Sequence, residues 1–319
     1  MRIHLIEPLR VPEEKIKQLA QPLIDAGHEF KYFDNKTTDP NELIARSEGA
    51  DIVTIANNPY PAEVIAANPQ IQLLNVAFTG VDHVDAESAK ENDIQVANAS
   101  GYANTAVSEL VIALTLALYR QIPQSNEAIR QGENFSGPIQ GQEIKGKTVG
   151  IIGTGNIGLE TAKLFKAFGA NLIAYSRTEK EEAKELGITY TDLDTLLKTA
   201  DIISVHLPLN DHTKNFLSQE KLSLIKDSAI LINAARGPII DNAALADLLN
   251  NDQIAGAGID VFDGEPPLAD DYPLLKAKNT VLTPHIAFLS DEAMVARAEI
   301  AFANIQAFID GKPENIVEL

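Results

Sequence analysis

"TVGIIGTGNIGLETAKLFKAFGANLIAYSRT", residues 148–178, decides how this chain folds. An apolar strand pattern, "TVGII", runs straight into Gly153-x-Gly155-x-x-Gly158, then into the helical stretch 157–168 and a second strand pattern at 171–176. Strand, tight glycine turn, helix and strand make a βαβ unit. In such a turn the first glycine permits the sharp bend, the second lets backbone approach a pyrophosphate, and the third lets helix and strand touch. Free amides at the helix start, here around Asn156 and Ile157, then meet anionic phosphates. The flanking elements are those the fingerprint requires, so the stretch reads as a dinucleotide site and not as a structural glycine turn.

The residues ending the second strand bear on which dinucleotide. An acidic side chain there holds the ribose hydroxyls of NAD(H) and repels a 2′-phosphate. This chain has Ser176 and Arg177 instead. A guanidinium pairs with phosphate through charge-assisted bonds, so NADP(H) is favoured. NAD(H), held by Ser176 and backbone, is the alternative, and Glu179 and Glu181 nearby pull in its direction. An overlapping match, "GQEIKGKT" (141–148), satisfies the triphosphate-loop pattern G-x-x-x-x-G-K-[ST]. That loop must leave a strand and enter a helix. Here a polar arm precedes it and a strand follows, so the match is read as chance.

Outward from this unit, short apolar runs alternate with helical patterns along the chain. Strands are expected at 3–6, 51–56, 73–76, 201–207, 229–234, 254–260 and 280–285, and helices at 11–26, 103–120, 191–198, 241–250 and 291–310. Runs without polar alternation suit strands covered on both faces, as in parallel sheets. The expected fold is α/β, with two doubly wound parallel-sheet domains. Strand-helix order restarts at 147, after the polar, glycine-rich segment 131–142, which reads as an exposed connection or arm. A Rossmann cofactor domain at 99–285 is therefore expected inside a smaller, discontinuous substrate domain of 1–98 and 286–319.

Bulk properties narrow the function. The 319 residues carry a formal charge of −19 and no cysteine. Thiolate nucleophiles, disulfides and Cys-ligated zinc are excluded, and six scattered histidines offer no metal-ligand spacing. No basic stripe of the kind nucleic acid requires is present. The longest apolar run, from Leu110 to Arg120, is well short of the roughly 20 residues that span a bilayer and reads as a buried helix. The N-terminus, a short strand pattern with His4 and Glu7, is no signal peptide. A cytoplasmic protein without membrane or nucleic-acid partners is expected.

Three further stretches, "LINAARGPIIDNAAL" (231–245), "AGIDVFDGEPP" (257–267) and "VLTPHIAF" (281–288), each place polar residues just past an apolar strand, where open α/β sheets collect ligands. With them the chain resembles, over essentially its whole length, the D-isomer-specific 2-hydroxyacid dehydrogenases, which include glyoxylate/hydroxypyruvate reductases, D-lactate-type enzymes and phosphoglycerate dehydrogenases. The resemblance implies catalytic roles for Arg236, holding the substrate carboxylate, Glu265, orienting the histidine, and His285, the acid. It places Asp260 and Thr105 near the nicotinamide, and His206, Leu207, Pro208, Thr213 and Ala234 along the cofactor. Phe78, Thr79 and Gly80, in "FTGVDHVD" (78–85), would meet the substrate, the amides around Thr79 and Gly80 receiving its carboxylate. It also implies a substrate enclosed between closing domains, and a homodimer formed through the cofactor domain with segment 121–145.

Elementary chemistry agrees with these roles. Reducing a 2-oxo acid needs a cation for its carboxylate, a proton donor for the developing alkoxide and an aligned hydride. The guanidinium fork of Arg236 suits bidentate carboxylate recognition. A carboxylate beside an imidazole favours its charged form and fixes its tautomer, the role expected of Glu265. His83 and Glu109 are read as structural or supporting, and His4, His28 and His212 as surface residues. Phe288 and Leu289 replace the small residues many glyoxylate or hydroxypyruvate reductases carry there, and Leu289 stands where D-lactate enzymes often have Tyr. Phe288 would line an apolar substrate pocket, leaving glyoxylate, hydroxypyruvate, pyruvate and larger 2-oxo acids open. The rival of another class is a dinucleotide-sensing binding protein related to the family's co-repressors; a formate- or phosphite-type dehydrogenase would need site residues not found here.

Overall fold

The apolar runs become strands buried on both faces, because each sheet is parallel throughout and helices cover it. The computed structural model describes residues 1–132 and 140–319; the middle of the expected arm, 133–139, lies outside the described residues. The chain divides into two compact units, Met1–Ala103 with Leu289–Leu319, and Asn104–Phe288.

The first unit carries β1 (Arg2–Leu5), β2 (Glu29–Tyr32), β3 (Ile52–Ile55), β4 (Leu73–Val76) and β5 (Gln95–Asn98), in the order β2-β1-β3-β4-β5. Its helices are α1 (Glu13–Asp25), α2 (Pro40–Ser47), α3 (Ala62–Ala66) and α4 (Ala86–Glu91), joined from the C-terminus by α12 (Asp291–Ile309). Ile16, Ala20 and Leu23 of α1 and Ala298, Ala301 and Phe302 of α12 close one core over Ile3, Leu5, Ile52 and Leu73.

His4, expected at the surface, is only 3% exposed. It lies inside β1, and its Nδ1–H donates to the Arg46 carbonyl at 2.7 Å. Arg46 is buried in turn and donates to the carbonyls of Ile6 and Asn35. A polar residue inside an apolar strand is affordable once its hydrogen bonds are met, and nothing in the residues around His4 announces that partner. His28 is half-buried and bonds the N-terminal amine, whereas His212 is exposed.

The second unit begins with α5 (Asn104–Tyr119) and α6 (Ile122–Arg130). Its strands are β6 (Thr148–Ile152), β7 (Asn171–Tyr175), β8 (Thr189–Tyr190), β9 (Ile202–Val205), β10 (Ile230–Asn233), β11 (Gly256–Ile259) and β12 (Thr280–Leu282), and they lie in the order β12-β11-β10-β9-β6-β7-β8. Between them run α7 (Asn156–Ala167), α8 (Glu181–Glu185), α9 (Leu193–Thr199), α10 (Gln219–Leu222) and α11 (Asn242–Asn250). Successive strand residues face opposite layers, as a two-residue period demands: Ile230 and Ile232 join the core with α5 and α7, Leu231 the core with α9 and α11. Asp192 and Asp241 cap α9 and α11 by accepting backbone amides.

Among the described residues no single helix is long and apolar enough to cross a membrane; α5 and α6 pass that test only together, across a 59° bend. The triphosphate-loop look-alike sits before β6, where the Gly146 amide donates to Gly169, that of Lys147 to Ile144, and that of Thr148 to the Asp201 carboxylate. Those amides are spent on the fold.

Candidate active site

Chain order reverses between β6 and β9, and the carboxyl ends of strands at such a switch point form a ligand crevice. Along this one edge lie Ser176 and Arg177 after β7, Gly153 after β6, His206–Pro208 after β9, Ala234 and Arg236 after β10, Asp260 after β11 and His285 after β12. Six expected positions thus follow six consecutive strands of the sheet.

At β6 the turn is shaped by close backbone contact. Gly153 has φ 98°, which an L side chain rarely adopts, and a Cβ there would lie 2.5 Å from the His206 carbonyl. A Cβ on Gly158 would meet the Gly153 carbonyl at 2.1 Å, whereas one on Gly155 would meet nothing within 4 Å. No side chain caps α7, and its first backbone bond runs from Leu159 to Gly155. Among the described residues the amides of Gly155, Asn156 and Ile157 donate to no acceptor, an arrangement that fits a pyrophosphate. Tyr190, missed in the sequence because β8 is only two residues long, ties this turn to the next: its hydroxyl donates to Thr154 Oγ1 at 2.9 Å and accepts the Lys180 amide at 3.1 Å.

Arg177 is exposed and Ser176 half-buried. His206 Nε2 is hydrogen-bonded to the Ser204 hydroxyl at 2.8 Å, and burial holds its ring down at about 4, so it is neutral at pH 7. Thr213 spends its hydroxyl inside its own loop, donating to the Pro208 carbonyl and accepting the Asn210 amide. Thr105 is exposed in the first turn of α5, and Glu109 lies exposed one turn on.

β10, β11 and β12 pair in register, Asn233 beside Ile259 and Ile259 beside Leu282. Adjacent strands lie about 4.8 Å apart, so the ends of β10 and β12 are about 10 Å from each other. Arg236 follows β10, with its carbonyl held by Asn233 Nδ2 at 3.0 Å and its Nη1 on the Ala235 carbonyl at 2.8 Å. His285 Nδ1 lies 2.7 Å from Glu265 Oε1, with side-chain exposures of 19% and 71%. This bond leaves Nε2 as the ring's other reactive nitrogen. The Phe288 ring stands edge-on to the imidazole, centroids 5.7 Å apart. Asp260 is fully buried, and burial pushes its carboxyl up although the Thr283 hydroxyl and the amides of Ile286 and Ala287 donate to it.

In the other unit Phe78 is buried with its ring 6.0 Å from that of Tyr102, and Thr79 and Gly80 follow β4 half-buried. The Phe78 carbonyl accepts the Ala99 amide and the Thr79 carbonyl accepts Asn98 Nδ2, while among the described residues the amides of Thr79 and Gly80 donate to no acceptor. Among the described residues no group of three or more His, Asp or Glu is placed to hold a metal ion.

Residues 112–287 match the family model described as D-isomer specific 2-hydroxyacid dehydrogenase, NAD binding domain. The chain is 36% identical to a glyoxylate reductase of Thermococcus litoralis, over 97% of this chain and 94% of that one. It is 39% identical to a glycerate dehydrogenase of Methylorubrum extorquens, over 91% and 92%. Among solved structures, an acyclic imino acid reductase (Bsp5) in complex with NADPH and D-Arg superposes with a TM-score of 0.89 at 33% identity, each chain covered in full.

Proposed function

This chain belongs to the D-isomer-specific 2-hydroxyacid dehydrogenase family, and from that premise we infer that it reduces a small 2-oxo acid to the D-2-hydroxy acid, with NADPH preferred. At the coarser level it is an oxidoreductase of 2-oxo and 2-hydroxy acids that uses a nicotinamide dinucleotide. The observation that carries the finer reading is the 2.7 Å pair of His285 and Glu265, two strands from Arg236 on the edge that presents the phosphate turn.

In this reading the amides of Gly155, Asn156 and Ile157 hold the pyrophosphate, and Arg177 with Ser176 holds a 2′-phosphate. Bound there, the reduced nicotinamide supplies a hydride. Arg236 takes the substrate carboxylate in its planar fork. His285, kept in one tautomer by Glu265 on Nδ1, gives its Nε2 proton to the carbonyl oxygen as negative charge develops there; in the oxidative direction neutral His285 takes the hydroxyl proton. Phe288, set against the imidazole, lines the space beside the reacting carbon. Glyoxylate, by likeness to the glyoxylate reductase, and hydroxypyruvate, the 2-oxo counterpart of glycerate, are the first substrates to test. A cytoplasmic homodimer formed through the Asn104–Phe288 unit completes the proposal, and the exposed Ile122 (52%) and Ile129 (68%) of α6 are apolar surface such an interface would cover.

The likeness to an imino acid reductase favours a second reading, reduction of a C=N bond formed between a 2-oxo acid and an amine. One panel separates the readings. Purified protein is given glyoxylate, hydroxypyruvate, pyruvate and branched 2-oxo acids, each with and without methylamine, and the loss of reduced nicotinamide is followed with NADPH and NADH. Turnover without amine is expected. Turnover only with amine would replace the proposal by imine reduction, and cofactor binding without any turnover would favour a dinucleotide-sensing protein. Arg177→Asp is expected to shift kcat/KM towards NADH by about tenfold or more, the worth of a charge-assisted bond; an unchanged ratio would return Arg177 to the solvated surface.

A further inference from the structure

The segment 176–180, which follows β7 and carries Arg177, is held at its two ends only. At its start the Tyr175 carbonyl accepts the Gly153 amide at 2.8 Å, and Ala174 pairs in register with Tyr190 of β8. At its far end the Tyr190 hydroxyl accepts the Lys180 amide at 3.1 Å. The same hydroxyl donates to Thr154 Oγ1 at 2.9 Å, and Thr154, only 2% exposed, stands between the first two glycines of the phosphate turn. Between these ends no backbone amide or carbonyl of residues 176–179 is bonded among the described residues. The charges of the segment are sorted as well. Lys184 Nζ lies 3.1 Å from Glu179 Oε2 and 2.9 Å from Glu181 Oε1, while Arg177 and Lys180 enter no ion pair among the described residues. The two acids that would repel a phosphate are drawn to Lys184, and the two cations stay available to an anion.

We propose that Tyr190 is a positioning residue for cofactor choice, and that its hydroxyl, bridging Thr154 and the Lys180 amide, fixes segment 176–180 as the site of the 2′-phosphate of NADP(H). Tyr190 acts here through Arg177 and Ser176, without touching the cofactor itself. The amides of the phosphate turn serve either dinucleotide, whereas the segment after β7 meets the ribose 2′ position, where the two differ. Charge-assisted bonds to a phosphate are roughly twice as strong as bonds between neutral groups, and a guanidinium fork needs a fixed direction. Loosening the segment therefore weakens NADPH more than NADH. The proposal rests on the reading of Arg177 and Ser176 as ligands of a 2′-phosphate.

The test uses the full chain with Tyr190→Phe, Thr154→Val and Thr154→Ser. For each, dissociation constants for NADPH and NADH are measured by fluorescence titration, beside stability in urea. An ordinary hydrogen bond is worth about fivefold in an equilibrium constant. Tyr190→Phe removes both bonds of the hydroxyl and is expected to weaken NADPH about tenfold and NADH no more than about twofold. Thr154→Val keeps the shape of Thr154 and loses its acceptor, so the preference for NADPH should fall about threefold, and Thr154→Ser should restore most of it. The ratio of the two constants is the deciding quantity, because a general loosening of the fold moves both alike. Equal weakening of the two dinucleotides, or lost stability with the ratio unchanged, would overturn the proposal and leave Tyr190 a fastening of the sheet edge. Thr154→Val and Thr154→Ser decide the matter by the same ratio if Tyr190→Phe does not fold. Wild type that binds NADH as tightly as NADPH would overturn the reading of Arg177 and this proposal with it. A wild-type preference for NADPH that Tyr190→Phe leaves unchanged would overturn this proposal alone.

Discussion

His285 shows how much of a residue's task is written in its neighbours. Its imidazole has Glu265 at 2.7 Å on one nitrogen and Phe288 against its face. A positioned acid contributes on the order of a hundred- to ten-thousandfold to rate, so His285→Ala is expected to lower kcat within that range and leave cofactor dissociation near wild type. Glu265→Gln keeps an acceptor for Nδ1 and loses the charge, so a smaller loss, about ten- to a hundredfold, is expected. Steady-state kinetics beside a cofactor titration checks both; unchanged turnover in His285→Ala would remove it as the acid. Glu265 and His285 were legible as motifs, since each follows an apolar run in a pattern of known meaning. The Thr283 hydroxyl on Asp260 was not, because the two are joined by strand adjacency across 23 residues of chain.

At the scale of elements, the turn into α7 separates fold from function within one glycine motif. Ala at 158 would drive its methyl into the Gly153 carbonyl, 2.1 Å away, so Gly158→Ala is expected to cost about 3 kcal/mol in urea unfolding. Gly155→Ala meets no atom, so stability near wild type is expected, with weaker cofactor binding from the methyl set at the phosphate turn. Equal stabilities for the two variants would contradict this division. Inner strands such as β6, β9 and β10 could be read directly, since both their faces are apolar. The edge strands β2 and β8 could not: one face of β2, "EFKY", is exposed, and β8 is two residues long, so neither carries a buried-strand pattern. The short helices α3, α8 and α10 escaped for a related reason, having too few turns to show a period.

For the whole molecule, buried histidines set the response to acid. Burial holds His206 at about 4 in the folded chain, against about 6.5 when unfolded, and it lowers His4 too. As pH falls below about 6.5 the unfolded chain takes up these protons first, so the folded state loses stability down to about pH 4, by on the order of 3 kcal/mol for His206. Asp260 works with the opposite sign: its raised carboxyl lets the folded state take a proton before the unfolded one as pH drops, and so offsets part of the loss. Wild type should therefore lose stability between pH 7 and pH 5 in urea unfolding, and His206→Asn should lose less; equal losses would remove His206 from the account. By itself the sequence determined the α/β class, the phosphate turn and the residues offered for chemistry, because apolar runs and glycine spacing are local properties of the chain. Strand order, the burial of His4 and the fastening of residues 283–287 to Asp260 were decided only by tertiary structure. They depend on which distant segments become neighbours, and a parallel sheet sets those neighbours by crossover connections that no local pattern records.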